Sequence, residues 1–161
     1  MHTPRRLGLV SLLALALAAC THGSGGGGGA GTEADSVCDS DPRNMAYAAG
    51  LSVKSTDGTV RATFVEAVPA PPAKGMNAWT LTLTDSMGSP MSGATITVAP
   101  FMPDHGHGAP IVPEVTPMAT AGTYQVTQLD LFMAGIWTVT FTITPSTGPV
   151  ESLVFSFCID G

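Results

Sequence analysis

From Leu51 onward, apolar and polar residues alternate with a period of two in seven separate stretches. Leu51-Ser52-Val53 is the first. Val60, Ala62 and Phe64 alternate with Arg61 and Thr63 in the second, and Trp79, Leu81 and Leu83 with threonines in the third. Ala94, Ile96 and Val98 form the fourth. Tyr124 and Val126 open the fifth, where the phase slips to Leu129 and Leu131 and predicts a bulge near Gln128. Trp137, Val139, Phe141 and Ile143 make the sixth, and Leu153, Phe155 and Phe157 the seventh. Each stretch is rich in threonine, valine and aromatic residues, and turn-forming Gly, Pro, Asp and Ser lie between them. These are strand signals, and no helical period competes with them.

One apolar face per strand requires a second sheet to cover it. The pattern therefore predicts an all-β domain, a seven-stranded immunoglobulin-like antiparallel β-sandwich, with a closed barrel as the competing arrangement. Loop ends follow from strand order. The long Pro100–Pro117 segment is read as one irregular loop. It then shares an end with Gly75-Met76-Asn77 and with Pro145–Pro149, leaving Met87 and Met133 at the opposite end.

The N-terminal region has a different character. Arg5 and Arg6 precede an apolar run from Leu7 to Leu17, too short to span a bilayer but suited to the core of an export signal. It ends in Leu17-Ala18-Ala19-Cys20, a tetrad that resembles the bacterial lipobox. The expected division is a lipoprotein signal peptide over 1–19, a lipidated Cys20 with a flexible linker over 20–37, and the β-domain over 38–161. The linker contains Gly25–Gly29, too glycine-rich to offset its own ordering entropy.

This division changes the charge. A chain beginning at Cys20 keeps four basic residues (Arg43, Lys54, Arg61, Lys74) against twelve acidic ones, a formal charge of −8. Such a surface repels phosphate backbones, which excludes nucleic acid as a partner. The acyl chains on Cys20 are then the expected membrane contact. Thr21 lacks the aspartate that signals inner-membrane retention in enterobacteria, so an outer-membrane anchor is the mild preference. Of three cysteines, Cys38 and Cys158 remain after Cys20. In an oxidising compartment they are expected to form a disulfide, against free thiols or a cysteine metal site.

Chemistry concentrates in one segment. The domain's histidines are His105 and His107, within Met102-Pro103-Asp104-His105-Gly106-His107-Gly108. Two imidazoles and a thioether on a glycine-bearing loop can reach one point, and imidazole with thioether favours copper, as Cu(I) or Cu(II), over hard cations. Met76 and Met118 are further candidate ligands. The competing reading makes Met102 an apolar core plug and the histidines solvated loop residues. No nucleophile–base set, phosphate loop or carboxylate pair is present, so an enzyme is not expected.

Five motifs together carry a family resemblance. They are Gly75-Met76-Asn77-Ala78-Trp79-Thr80-Leu81, Asp85-Ser86-Met87-Gly88-Ser89-Pro90 with Gly93-Ala94, Met102-Pro103-Asp104-His105-Gly106-His107, Gly122-Thr123-Tyr124, and Met133-Ala134-Gly135-Ile136-Trp137. The chain resembles the YtkA-like domain, related to the FixH group, over about residues 50–145. The resemblance implies a small β-sandwich of the cell envelope, in some relatives associated with copper handling or cytochrome oxidase assembly. It lends itself to two expectations: an anchored domain that holds copper or exchanges it with a donor or acceptor, or a non-metal module that binds an envelope protein.

Overall fold

Alternation becomes strand wherever one face can be buried. The computed structural model describes Cys38 and residues 40–161; the signal segment, Cys20, His22 and the glycine run lie outside the described residues. The strands are β1 (Ser52–Lys54), β2 (Val60–Val68), β3 (Gly75–Asp85), β4 (Thr95–Met102), β5 (His107–Gly108), β6 (Glu114–Pro117), β7 (Thr123–Leu131), β8 (Gly135–Thr144) and β9 (Glu151–Ile159). They form a five-stranded sheet, β1-β2-β3-β7-β6, and a four-stranded sheet, β5-β4-β8-β9. Every pairing is antiparallel.

The sandwich expectation holds, with nine strands rather than seven. Both additional strands come from the segment read as an irregular loop. The second and third strands pair in one sheet, whereas the immunoglobulin arrangement places them in opposite sheets. The phase slip in β7 is a bulge. Asn77 and Trp79 of β3 face Leu129 and Val126, so three steps on β7 answer two on β3. Gln128 takes a φ of 57°, a left-handed conformation that absorbs the extra residue.

Between the sheets lies an aromatic core. Phe64 packs edge-on against Trp79 at 5.0 Å and Phe155 at 4.7 Å between centroids, and Trp79 meets Phe141 and Phe157. Trp79, Leu81 and Leu83 are sealed from solvent, while the intervening threonines stay partly exposed. Each fully buried side chain of this size contributes roughly 1.5–3 kcal/mol of transfer free energy, so the core is the main source of stability.

The additional strand β6 alters which loops share an end. It carries the chain from the Met102 end of the sandwich back to the far end, where Pro117 lies opposite Tyr124. β7 then returns, and Gly75 pairs with Leu131. Three residues later β8 begins, with Phe101 opposite Thr138. The turn Phe132–Ala134 therefore stands beside the loop that follows β4. Pro145–Pro149 falls at the opposite end, since Thr95 pairs with Thr144. Both placements reverse the sequence-based expectation, because one unforeseen traverse inverts the parity of every later loop.

The segment before β1 is joined to the last strand. Cys38 and Cys158 form a disulfide with Cα atoms 5.4 Å apart, closing 120 residues. Asn44 Oδ1 accepts a hydrogen bond from the Cys158 backbone N–H (2.9 Å), and the Met45 N–H donates to the Ser156 carbonyl (2.8 Å). The segment thus lies along the outer edge of β9. Replacing both cysteines by serine is expected to lower unfolding free energy by about 2–5 kcal/mol, measured by urea denaturation. A loss below about 1 kcal/mol would show that the edge contacts alone order this segment.

Candidate metal centre

β4 ends at Met102, and the chain reverses tightly. The N–H groups of His105 and Gly106 both donate to the Met102 carbonyl (3.2 and 2.9 Å). Gly106 supplies the positive φ, 72°, that a side chain would resist. β5 then pairs back on β4, with Met102 directly opposite His107. Directly opposed residues in an antiparallel pair project to the same face, with Cβ atoms about 4.5–5.5 Å apart. The register therefore sets a thioether beside an imidazole. The His105 ring completes the group, its centroid 5.7 Å from that of His107.

Met102 forms the floor. It is fully buried, and its methyl lies 2.8 Å from where a Cβ on Gly135 would be, while the Gly135 φ of 131° is what favours glycine there. This is the core position that the competing reading assigned to it. His107 is half-buried and stacks on Phe132 at 5.6 Å, with the edge of Trp137 at 6.4 Å. The Trp137 indole N–H donates to the Met133 carbonyl (2.9 Å), which holds the turn beside the histidines. His107 Nδ1 lies 3.2 Å from the Gly108 carbonyl. A carbonyl only accepts, so in that contact Nδ1 is the donor, as in the tautomer whose lone pair sits on Nε2.

Two proposed ligands are not brought to this group. Met118 follows β6 and sits at the opposite end of the sandwich, a consequence of the same inverted parity. Met76 is at the histidine end but 57% exposed, on the outer face of the five-stranded sheet, because Asn77 and Trp79 take the inward positions on β3. Met133, assigned by strand order to the far end, is instead adjacent to the histidine loop. Among the described residues, no group of three or more His, Cys, Asp or Glu side chains is arranged to hold a metal ion. Two imidazoles and the Met102 position opposite His107 come together here, and side chains of that kind suit a soft cation better than a hard one.

Asp104 does not turn toward His105 but pairs with Arg43, which precedes the first strand. The guanidinium meets Asp104 through Nη1–Oδ1 and Nη2–Oδ2, both 2.8 Å. It meets Asp41 through Nε (2.9 Å) and Nη2 (2.6 Å). The hydrogen bond from the Arg43 side chain, followed by that from its backbone N–H, lowers the Asp41 carboxyl from 3.8 to about 2. The same side chain lowers Asp104, and both carboxylates raise Arg43. Nothing in the sequence pattern singled out Arg43, since its partner lies 61 positions away. Trp137 was legible as a core residue but not as a wall of this group, and Phe132, in the turn before β8, was not singled out.

The geometry defines a small all-β sandwich with a His/Met loop at one end. The YtkA-like family matches residues 53–142, more than half of the sequence, and the chain belongs to that family. Among solved structures, a DUF4426 family protein from Pseudomonas aeruginosa PAO1 is similar at 14% identity and a TM-score of 0.48, over 64% of this chain and 92% of that one. FetP from uropathogenic E. coli strain F11, recombinantly expressed in the periplasm, is similar at 14% identity and a TM-score of 0.47, over 71% of this chain and 96% of that one. No curated protein matches this sequence.

The depressed Asp41 value has a defined pH consequence. Its contribution to holding the 38–47 segment is fully present above the ordinary carboxyl value of 3.8 and is lost as pH falls toward 2. An NMR titration of the Asp41 carboxyl is expected to give a midpoint near 2 in wild type, rising toward 3.8 in Arg43→Met. A wild-type midpoint already near 3.8 would contradict the geometry around Arg43.

Proposed function

We propose that this chain is a lipid-anchored extracytoplasmic domain that holds copper, foremost Cu(I), at His105 and His107 with the Met102 thioether, and passes the ion on without catalysing a reaction. The observation that carries the reading is the β4–β5 register, which pairs Met102 with His107 while the His105 ring stands 5.7 Å from its neighbour. Imidazole nitrogen and thioether sulfur favour Cu(I) over magnesium or calcium. Thioethers also avoid the disulfide formation open to a thiolate site in an oxidising compartment. Met133, on the adjoining turn, is a fourth donor within the same end of the sandwich. Phe132 and Trp137 shield the group on one side, which limits water and strengthens a soft-ligand site.

The compartment follows from separate features. The Cys38–Cys158 disulfide persists where thiols are not kept reduced. The Leu17-Ala18-Ala19-Cys20 tetrad supplies the anchor, with the outer membrane as the preferred location. Replacing Cys20 by alanine is expected to abolish incorporation of labelled palmitate and to release the protein from the membrane fraction. Unchanged labelling would remove the anchor from the account.

Copper binding is tested by Cu(I) competition titration of the oxidised domain. Wild type is expected to bind more tightly than micromolar. Changing both histidines to alanine is expected to cost at least about 100-fold, beyond the 10–100-fold typical of an outer-shell partner. Met102→Leu, which nearly conserves volume, is expected to weaken Cu(I) about tenfold with a stability change under about 1.5 kcal/mol. Micromolar or weaker binding that is indifferent to the histidines would overturn the reading.

A further inference from the structure

The residues before β1 do more than lead into the sandwich. They are fixed against β9 by the Cys38–Cys158 disulfide, by the Asn44 side chain on the Cys158 N–H, and by the Met45 N–H on Ser156. Between these attachments Arg43 extends to the histidine loop and grips Asp104, the residue immediately before His105, through two parallel hydrogen bonds of 2.8 Å. Its remaining edge is held by Asp41, whose Oδ1 also accepts the Arg43 backbone N–H (2.8 Å). The guanidinium is therefore oriented before it meets Asp104.

Within the loop the hold is short-range: the two hydrogen bonds to the Met102 carbonyl, the brief β4–β5 pairing and the stacking of His107. β5 is two residues long, and glycines stand at 106 and 108, flanking His107. An isolated exposed ion pair contributes little, because ordering two long side chains offsets the attraction. Here much of that ordering is already supplied by the stapled segment and by Asp41, and the contact is bidentate and charge-assisted.

We propose that Arg43 is a positioning residue for the histidine loop: by clamping Asp104 it holds His105 and His107 at the separation and orientation that one metal ion requires. The purpose of the clamp rests on the copper reading above, whereas its geometry does not. Without the clamp, the cost of ordering the loop falls on ion binding and weakens it. Lysine in place of Arg43 presents a single point donor and cannot hold both carboxylates in the same plane.

The test uses the full oxidised chain with Arg43→Met, Arg43→Lys, Asp104→Asn and the Arg43→Met/Asp104→Asn double variant. Two readouts separate the claims: amide hydrogen exchange of residues 105–108 without metal, and Cu(I) affinity by competition. In Arg43→Met, exchange at 105–108 is expected to rise about tenfold while β3 and β8 remain protected. Cu(I) affinity is expected to fall about tenfold, as for loss of a partner that orients ligands. Asp104→Asn should match it, the double variant should be no worse than either single change, and lysine should restore only part of the loss.

Exchange at 105–108 that is the same in wild type, Arg43→Met and Asp104→Asn would overturn the proposal. So would a loosened loop with full Cu(I) affinity. If the loop loosens as expected but wild type takes up no Cu(I), the clamp stands and the copper reading falls. If wild type binds Cu(I) and the variants keep both its affinity and its exchange, the clamp alone falls.

Discussion

The pairing of β4 with β8 organises the functional end of this molecule. It sets Phe101 opposite Thr138, so the reversal after Met102 and the turn before Gly135 stand side by side. Met102 can then occupy the space that Gly135 leaves open, and His107 can lie on Phe132. Shift that register by one residue and every alternating side chain changes face. Met102 would leave the core, and the apolar floor beneath the histidines would be lost. The aromatic core supports the register from within, because Phe141 and Val139 on β8 are buried among residues of both sheets.

Around that pairing the chain builds its polar contacts from residues far apart in sequence. The strand ladder places His107 opposite Met102, a local consequence of a tight reversal. The segment ahead of β1 reaches the loop from outside, tied to β9 by the Cys38–Cys158 disulfide, the Asn44 side chain and the Met45 N–H. The disulfide thus has two physical effects: it restricts the unfolded chain, and it keeps Arg43 beside Asp104 in the folded one. The second effect, together with the Asp41 contacts, accounts for the well-formed geometry of an exposed salt bridge.

Much of this was legible in the sequence. Alternation located seven strands, and the phase slip near Gln128 located a bulge, because period-two burial writes itself directly into residue type. The pairing of Cys38 with Cys158 followed from compartment and number. The histidine pair was visible as the domain's concentrated chemistry. β5 and β6 were not legible: His107-Gly108 is too short to alternate, and Glu114–Pro117 is an edge segment flanked by prolines with only Val115 partly buried. Missing β6 misplaced Met118 and Met133 together, since loop position depends on how many times the chain has crossed the sandwich. Arg43 could not be seen at all, because a contact across 61 positions leaves no local period.

The central claim is that two imidazoles and a neighbouring thioether form one soft-metal site on the β4–β5 reversal. X-ray absorption of the Cu(I)-loaded domain measures that donor set directly. The account predicts a first shell of two imidazole nitrogens with at least one sulfur, and loss of the sulfur signal when Met102 and Met133 are both replaced by leucine. A shell of nitrogen and oxygen alone in the wild-type domain would contradict it.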